Sequence, residues 1–287
     1  MKDFFLELSR DIRKNKGALA GLVLILVFML LAIFAPLLSP YAPDQVIEGA
    51  LRLPPGTQLN NNFFLFGTDD IGRDLFSRLL YGSRVSLLVG LSVVVLAASL
   101  GTLMGLLAGY FGGWTDRVIS RAMDFIMALP SVLFAIVIVA VLGPGLVNAI
   151  VAVSIVALPN FTRLIRAQVL AEKNKQYVQA ARLYGASHLR ILFKEILPNC
   201  LAPLIVQGSL GFSDGVLNCA ALGFLGLGAQ APTPEWGTML SDARSFLETS
   251  PWMVNLPGIC ILLVVLSFNL LGDGLRDALD PRLKNRA

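Results

Sequence analysis

Asp214 is the one charged residue that lies well inside any long apolar stretch of this sequence, within "GSLGFSDGVLNCAALGFLGLG", and Asn218 follows it four residues on. At that spacing the two share a helix face, toward which Ser209 and Gly211 partly turn. A carboxylate at membrane depth is expensive and faces a cavity or a partner. The pair therefore reads either as a polar patch lining a path across the membrane, where it would meet a cationic group, or as an interhelical hydrogen bond. Other reactive chemistry is sparse. His188 is the sole histidine, lies beside Arg190, and reads as a solvated or partner-facing side chain. Cys200, Cys219 and Cys260 show neither a pairing spacing nor metal-ligand company and read as packing residues. Asp69 and Asp70 suggest a calcium loop, but Gly72 and Arg73 break the ligand alternation that such a loop needs. No Gly-Lys dipeptide occurs, so a phosphate-cradling P-loop is absent and any nucleotide must be handled by another chain.

The elements that position these residues are apolar. Hydrophobic residues make up 55% of the chain and charged ones only 15%, against about a quarter in soluble domains. Crossing a bilayer takes about 20 helical residues. Candidate spans run from Gly17 to Leu38, Val85 to Phe111, Phe125 to Leu142, Leu146 to Leu158 with a polar end to Thr162, Leu201 to Gly228, and Leu256 to Leu271. The expectation is an all-α membrane protein of six transmembrane helices. The glycine-rich fifth span lets neighbours approach closely and reads as a central helix.

Charge gives the orientation. Of 23 lysines and arginines, only Arg52, Arg73, Arg78, Arg84 and Arg244 fall on external segments if the N-terminus is inside. The other 18 are then cytoplasmic, as the positive-inside bias requires, and both termini are expected on that side. The same bias accounts for a pI near 9.1, so no nucleic-acid role is assigned. The first span is longer than the core of a signal peptide and reads as a retained anchor.

Before it, Phe4, Phe5, Leu8 and Ile12 form one face of a helix suited to the inner membrane surface. Residues 1–84 then comprise that surface helix, the first span and an external segment, and residues 85–287 a core with five spans. In "FGTDDIGRDLFSRLLYGSR" Thr68 can cap a helix that Gly82 closes. Pro130 should kink the third span. Thr233 can cap a further external helix with Pro234 at its first position and an apolar stripe from Trp236 to Leu247. That helix is expected at the outer interface, with Trp236 and Trp252 at headgroup level.

Between the fourth and fifth spans, residues 163–194 carry seven basic residues and one acid, Glu172. Residues 168–184 contain no breaker and predict a helix that Gly185 ends in a left-handed conformation. Ser187 can cap a second helix with Leu189, Leu192, Phe193 and Ile196 on one face, interrupted at Pro198. Ala180 and Ala181 leave a place where another backbone could approach, so this segment reads as a docking surface.

The run "QAARLYG" followed by "ILP" resembles the EAA loop of bacterial ABC importer permeases, with Ala180, Ala181, Gly185, Leu197 and Pro198 matching, Gln179 at the usual glutamate and Glu195 at the usual isoleucine. "NKGALAGLVLI", "FGTDDIGRD", "LGFLGLGAQAPTPEWGTML" and "GDGLRDALDPR" are similar to the C-type permease subunit of peptide importers, closest to the dipeptide branch. That resemblance implies a type I importer permease in the bacterial cytoplasmic membrane. It would pair with a second, related permease, two cytoplasmic ATPases and an external peptide-binding protein. The EAA-type coupling loop (about 163–198) would engage an ATPase through Gln179, Ala180, Ala181, Gly185, Ser187, Leu197 and Pro198. ATP and Mg would be used by the partner ATPases, with no cofactor bound by this chain. Dipeptides are the first expectation for cargo; longer peptides, haem, nickel or antimicrobial peptides remain open. An ion-coupled secondary transporter would show inverted repeats and several intramembrane acids, and neither is visible.

Overall fold

A computed structural model describes residues 15–279. The expected surface helix before the first span and the last residues of the C-terminus lie outside them. The described chain is almost wholly helical: α1 (Lys16–Ile33), α2 (Leu75–Phe111), α3 (Gly113–Met127), α4 (Ser131–Leu142), α5 (Leu146–Glu172), α6 (Gln176–Leu183), α7 (Leu197–Phe224), α8 (Trp236–Ala243) and α9 (Trp252–Leu279). Lipid offers backbone groups no partners, which is why the apolar runs are helical. One two-stranded hairpin, β1 (Thr57–Leu59) with β2 (Asn62–Phe64), lies in the segment between α1 and α2. Among the described residues, α1, α2, α5 and α9 are long and apolar enough to cross a membrane, and α3 with α4 would make a fifth span bent by 96°. The 28-residue α7 is long enough but less apolar, because Gln207, Asp214, Asn218 and several glycines interrupt it.

Several local expectations change. The helix placed at residues 68–82 begins instead at Leu75 and does not stop at Gly82; it runs on for 37 residues to Phe111, about 55 Å at 1.5 Å per residue. Asp74, not Thr68, is its cap, accepting from the Ser77 backbone N–H at 2.8 Å and from the Ser77 hydroxyl at 2.6 Å. Thr68 pins the preceding loop, accepting from Leu53 N–H at 2.8 Å and donating to the Ala50 carbonyl. Gly82 is covered by the ring of Trp236, which would lie 2.9 Å from a β-carbon there. Trp236 is therefore fully buried against the protein, with its indole N–H donating to the Leu79 carbonyl at 3.2 Å. Its helix is capped by Glu235, which accepts from Gly237 N–H at 2.8 Å and Thr238 N–H at 2.9 Å, and not by Thr233. Burial, opposed by those two bonds, pushes the Glu235 carboxyl above its ordinary value.

Asp69 binds no alternating ligand loop. Its carboxylate meets Arg73 Nε at 2.6 Å and accepts from the Ile71 and Arg73 N–H groups at 3.1 and 2.8 Å, closing the turn that leads into α2. Asp70 beside it is raised by burial and by the neighbouring Asp69 charge. Among the described residues no three His, Cys, Asp or Glu side chains group as a metal set.

The centre of the fold is the pairing of α2 with α5. A β-carbon at Gly101 would lie 2.6 Å from Phe161 Cβ, one at Gly105 2.8 Å from Ile165 Cβ, and one at Gly109 2.7 Å from Val169 Cβ. Four-residue spacing stacks these glycines on one face of α2, so the two backbones come together as small-residue seams allow. At the other side of the fold α1 packs on α9, where Gly21 faces the Ser267 carbonyl and Gly274 faces Ala18.

Gly105→Leu should force α2 from α5, since its side chain would enter space held by the Thr162 carbonyl and Ile165. Overpacking of this kind costs about 1–3 kcal/mol or more. The expected result is a lower thermal midpoint and lower abundance in detergent, read by size-exclusion of heated samples, with Gly258→Leu, a helical position whose β-carbon would meet nothing closer than Leu240 Cδ2 at 4.0 Å, as the comparison.

Candidate functional site

Two features converge on α5 and α7: a polar cavity midway along them and the loop that joins them. The cavity has a volume of about 340 Å³. Its wall is built from the α3–α4 break (Met127, Leu129, Ser131), from Val153, Ala157 and Asn160 on α5, and from Gln207, Gly211, Asp214 and Asn218 on α7. Pro130 does more than kink the third span. It caps α4 after a full break, and the resulting 96° bend carries the ends of both halves into the cavity wall.

Among the described residues, Asp214 is the only charged one lining this space. Asn218 donates to the Asp214 backbone carbonyl at 2.7 Å, a bond within α7. Ser213, next to Asp214, turns away and donates to Val265 O on α9 at 3.1 Å. Asn160 and Gln207 were missed by the sequence reading, although Gln207, Gly211, Asp214 and Asn218 follow the i, i+4, i+7, i+11 pattern of one helix face and so carried the signal for Gln207. Ser209, expected near that face, instead donates to the Val206 carbonyl at 2.8 Å.

The loop is helical but divided differently from its sequence reading. In place of one helix over 168–184, α5 ends at Glu172, residues 173–175 turn, and α6 starts at Gln176. The turn is held by the Glu172 carboxylate, which accepts from Lys175 Nζ and from Tyr177 Oη, each at 2.6 Å. Gly185 ends α6 with φ of +76° and open space around its α-carbon. Ser187 caps the next turn by accepting from Arg190 N–H at 3.4 Å. Pro198 does not interrupt the second helix. Residues 188–190 pass into a π-helical stretch, Ile191–Ile196, which continues directly into α7. Wider π-helical winding removes the need for a proline N–H at that point and sets Pro198 in the first turn of α7.

That winding also re-sorts the apolar face: Leu192 and Ile196 are buried, with Ile191, while Leu189 and Phe193 face out. Val178, Ile191, Leu192, Ile196 and Cys200 join Leu106, Tyr110, Ile165 and Val169 in one apolar cluster, with Ala181 packed against it. Ala181 therefore faces the chain's own core, whereas Gln179 and Ala180 are exposed. At the tip, Leu183 and Tyr184 are 89% and 91% exposed. His188 bonds to Tyr110 Oη through Nδ1 at 2.8 Å, and Arg182 lies 5.3 Å over the same tyrosine ring. Sequence reasoning passed over the tip residues because exposed leucines and tyrosines carry no pattern of their own.

Residues 101–285 match the family described as binding-protein-dependent transport system inner membrane component, and residues 4–55 match the N-terminal TM domain of oligopeptide transport permease C. The chain is 54% identical to the di/tripeptide transport system permease protein DppC of Pseudomonas aeruginosa, covering 98% of this chain and 93% of that one. It is 56% identical to the dipeptide transport system permease protein DppC of Escherichia coli K12, over 95% and 91% of the two chains. Among solved structures, inward facing conformations of the MetNI methionine ABC transporter match with a TM-score of 0.57 at 19% identity, covering 71% of this chain and 97% of that one. At that identity the likeness is one of fold.

Proposed function

Because this chain belongs to the binding-protein-dependent transport system inner membrane component family, in its dipeptide permease branch, we propose that it is a permease subunit through which an ATP-driven importer moves dipeptides across the bacterial cytoplasmic membrane. Six spans, formed by α1, α2, the bent pair α3–α4, α5, α7 and α9, would carry it, with both termini cytoplasmic. A second permease completes the path, two ATPases supply the work with their own ATP and Mg, and an external peptide-binding protein delivers cargo. The observation that carries the coupling assignment is the exposed apolar tip of α6. Leu183 and Tyr184 stand on a helix whose base is fixed to α5 and α7, and unpaired apolar surface of this kind marks a partner site. Asp214 and Asn218 line the path, where the Asp214 carboxylate would face the ammonium end of a peptide.

The first test addresses docking. Leu183→Glu places a charge where an ATPase would have to desolvate it, at about 1–3 kcal/mol or about tenfold in affinity. Gly185→Arg demands a positive φ that a side chain resists. Both variants should insert and reach normal abundance but lose ATPase co-purification and peptide uptake; retention of both by the two variants would remove the coupling assignment.

For the path, Asp214→Ala should lower uptake while the complex still assembles, and failure of assembly would instead assign Asp214 to helix contacts. Orientation is open to direct test in a background lacking the three native cysteines. A cysteine at position 244 should react with an impermeant thiol reagent in intact cells and one at position 188 should not; the reverse pattern would invert the topology.

A further inference from the structure

Glu172, the lone acid of residues 163–194, is 8% exposed although it lies beside a basic loop. It is the last residue of α5, and its Oε2 accepts from the phenol of Tyr177, in the first turn of α6, at 2.6 Å. The same phenol oxygen accepts from Asn199 Nδ2 at 3.1 Å, and Asn199 stands in the first turn of α7, where it also donates to the Glu195 carbonyl at 2.8 Å. One hydroxyl thus links the end of α5, the start of α6 and the start of α7. Lys175 Nζ holds the other Glu172 oxygen at 2.6 Å, so the acceptor is fixed before the phenol reaches it. Burial and the adjacent carboxylate raise the Tyr177 phenol above its ordinary value, which keeps the donor protonated.

The remaining ties of the loop run elsewhere. Lys173 Nζ donates to the Gly109 carbonyl at 2.8 Å and His188 bonds to Tyr110, both at the end of α2. Neither touches α7. Beneath the phenol the contacts are apolar and non-directional, through Val178, Ile191 and Ile196. Among the described residues, the directional connection of α6 to both cavity-lining helices at once therefore passes through Tyr177.

Resting on the reading of α6 as the helix that engages an ATPase, we propose that Tyr177 is the positioning residue that passes displacement of α6 to α5 and α7 together, with Glu172 and Asn199 as its two anchors. A helix attached to only one of the two would tilt that one and shear the cavity wall. Attachment to both delivers one displacement to the bases of α5 and α7 together, at Glu172 and Asn199.

The test uses the assembled importer in proteoliposomes, with loaded binding protein added, and reads ATP hydrolysis and dipeptide uptake in parallel. Tyr177→Phe removes one oxygen and keeps the ring; Glu172→Gln keeps the shape and removes the charge. Both should retain the ATPase subunits and near-normal stimulated hydrolysis, while peptide taken up per ATP falls about tenfold, the size expected for losing a hydrogen bond to a charged group. Adding Asn199→Ala to Tyr177→Phe should lower the ratio little further, since both act through one link. Wild-type uptake per ATP in Tyr177→Phe would overturn the proposal. So would loss of abundance or of bound ATPase in proportion to uptake in both single variants, because Tyr177 would then only fold the loop. If Leu183→Glu retains ATPase and uptake, the coupling reading itself fails; if Leu183→Glu abolishes both and Tyr177→Phe is normal, the linkage alone fails.

Discussion

Between α2 and α5 the backbones meet at Gly101, Gly105 and Gly109, where any β-carbon would fall within 2.6–2.8 Å of the facing side chains. Lipid tails are as apolar as leucine, so burial of apolar surface gives helices little reason to associate within the membrane. Dispersion contacts must do it, and these fall away over fractions of an ångström. The seam places Phe161, Ile165 and Val169 against α2 and leaves Val153, Ala157 and Asn160 turned toward the cavity. Fixing the rotation of α5 in this way decides which of its residues face the path. It also decides where Glu172 stands at the end of the helix, and hence where the coupling segment begins.

The end of the molecule that holds the α1–α2 segment and α8 is ordered by a different balance. There, buried carboxylates are paired: Asp69 with Arg73 and two backbone N–H groups, Asp74 through Oδ2 with Ser77, and Glu235 with Gly237 and Thr238, while Asp74 Oδ1 has no partner among the described residues. Each of these carboxylates caps or closes a turn, so their cost of desolvation is offset by backbone donors that would otherwise be unpaired. Trp236 then fills the groove over Gly82, joins Phe28 edge-on at 5.8 Å, and locks α8 across α2 and α1. The apolar stripe of α8 thus packs into the protein's own core through Trp236 and Met239.

What the sequence made legible follows from which signals are local. Apolar length marked the four long apolar helices and the bent pair α3–α4, and Gly185 and Ser187 marked a turn and a cap through their own backbone and side-chain preferences. Features set by a distant partner were not legible. Gly82 reads as a helix end and is a seat for Trp236; Trp236 reads as a headgroup anchor and is buried by α2; Pro130 reads as a kink and is a complete break. The turn after Glu172 contains neither glycine nor proline, because it is made by a carboxylate gathering Lys175 and Tyr177 and not by a breaker. Pro198 reads as a stop, yet a π-helical stretch before it absorbs the missing donor.

Cavity and loop are separated by about 18 Å along α5, from Asn160 to Glu172, and by about 22 Å along α7, from Asn199 to Asp214, at 1.5 Å per residue. Neither distance can be bridged by side chains, so any communication must travel as rigid movement of the helices themselves. On α5 the glycine seam resists sliding against α2, which favours rotation about the seam over translation along it. On α7, Pro203 and the glycines at 208 and 211 lie between the two sites, and the backbone hydrogen bond that Pro203 cannot make lets the helix bend there. The two helices thus differ in stiffness while sharing one base. A displacement applied at that base would turn α5 below Asn160 as a unit and bend α7 near Pro203, changing the gap between Asn160 and Asp214 without requiring the seam with α2 to open.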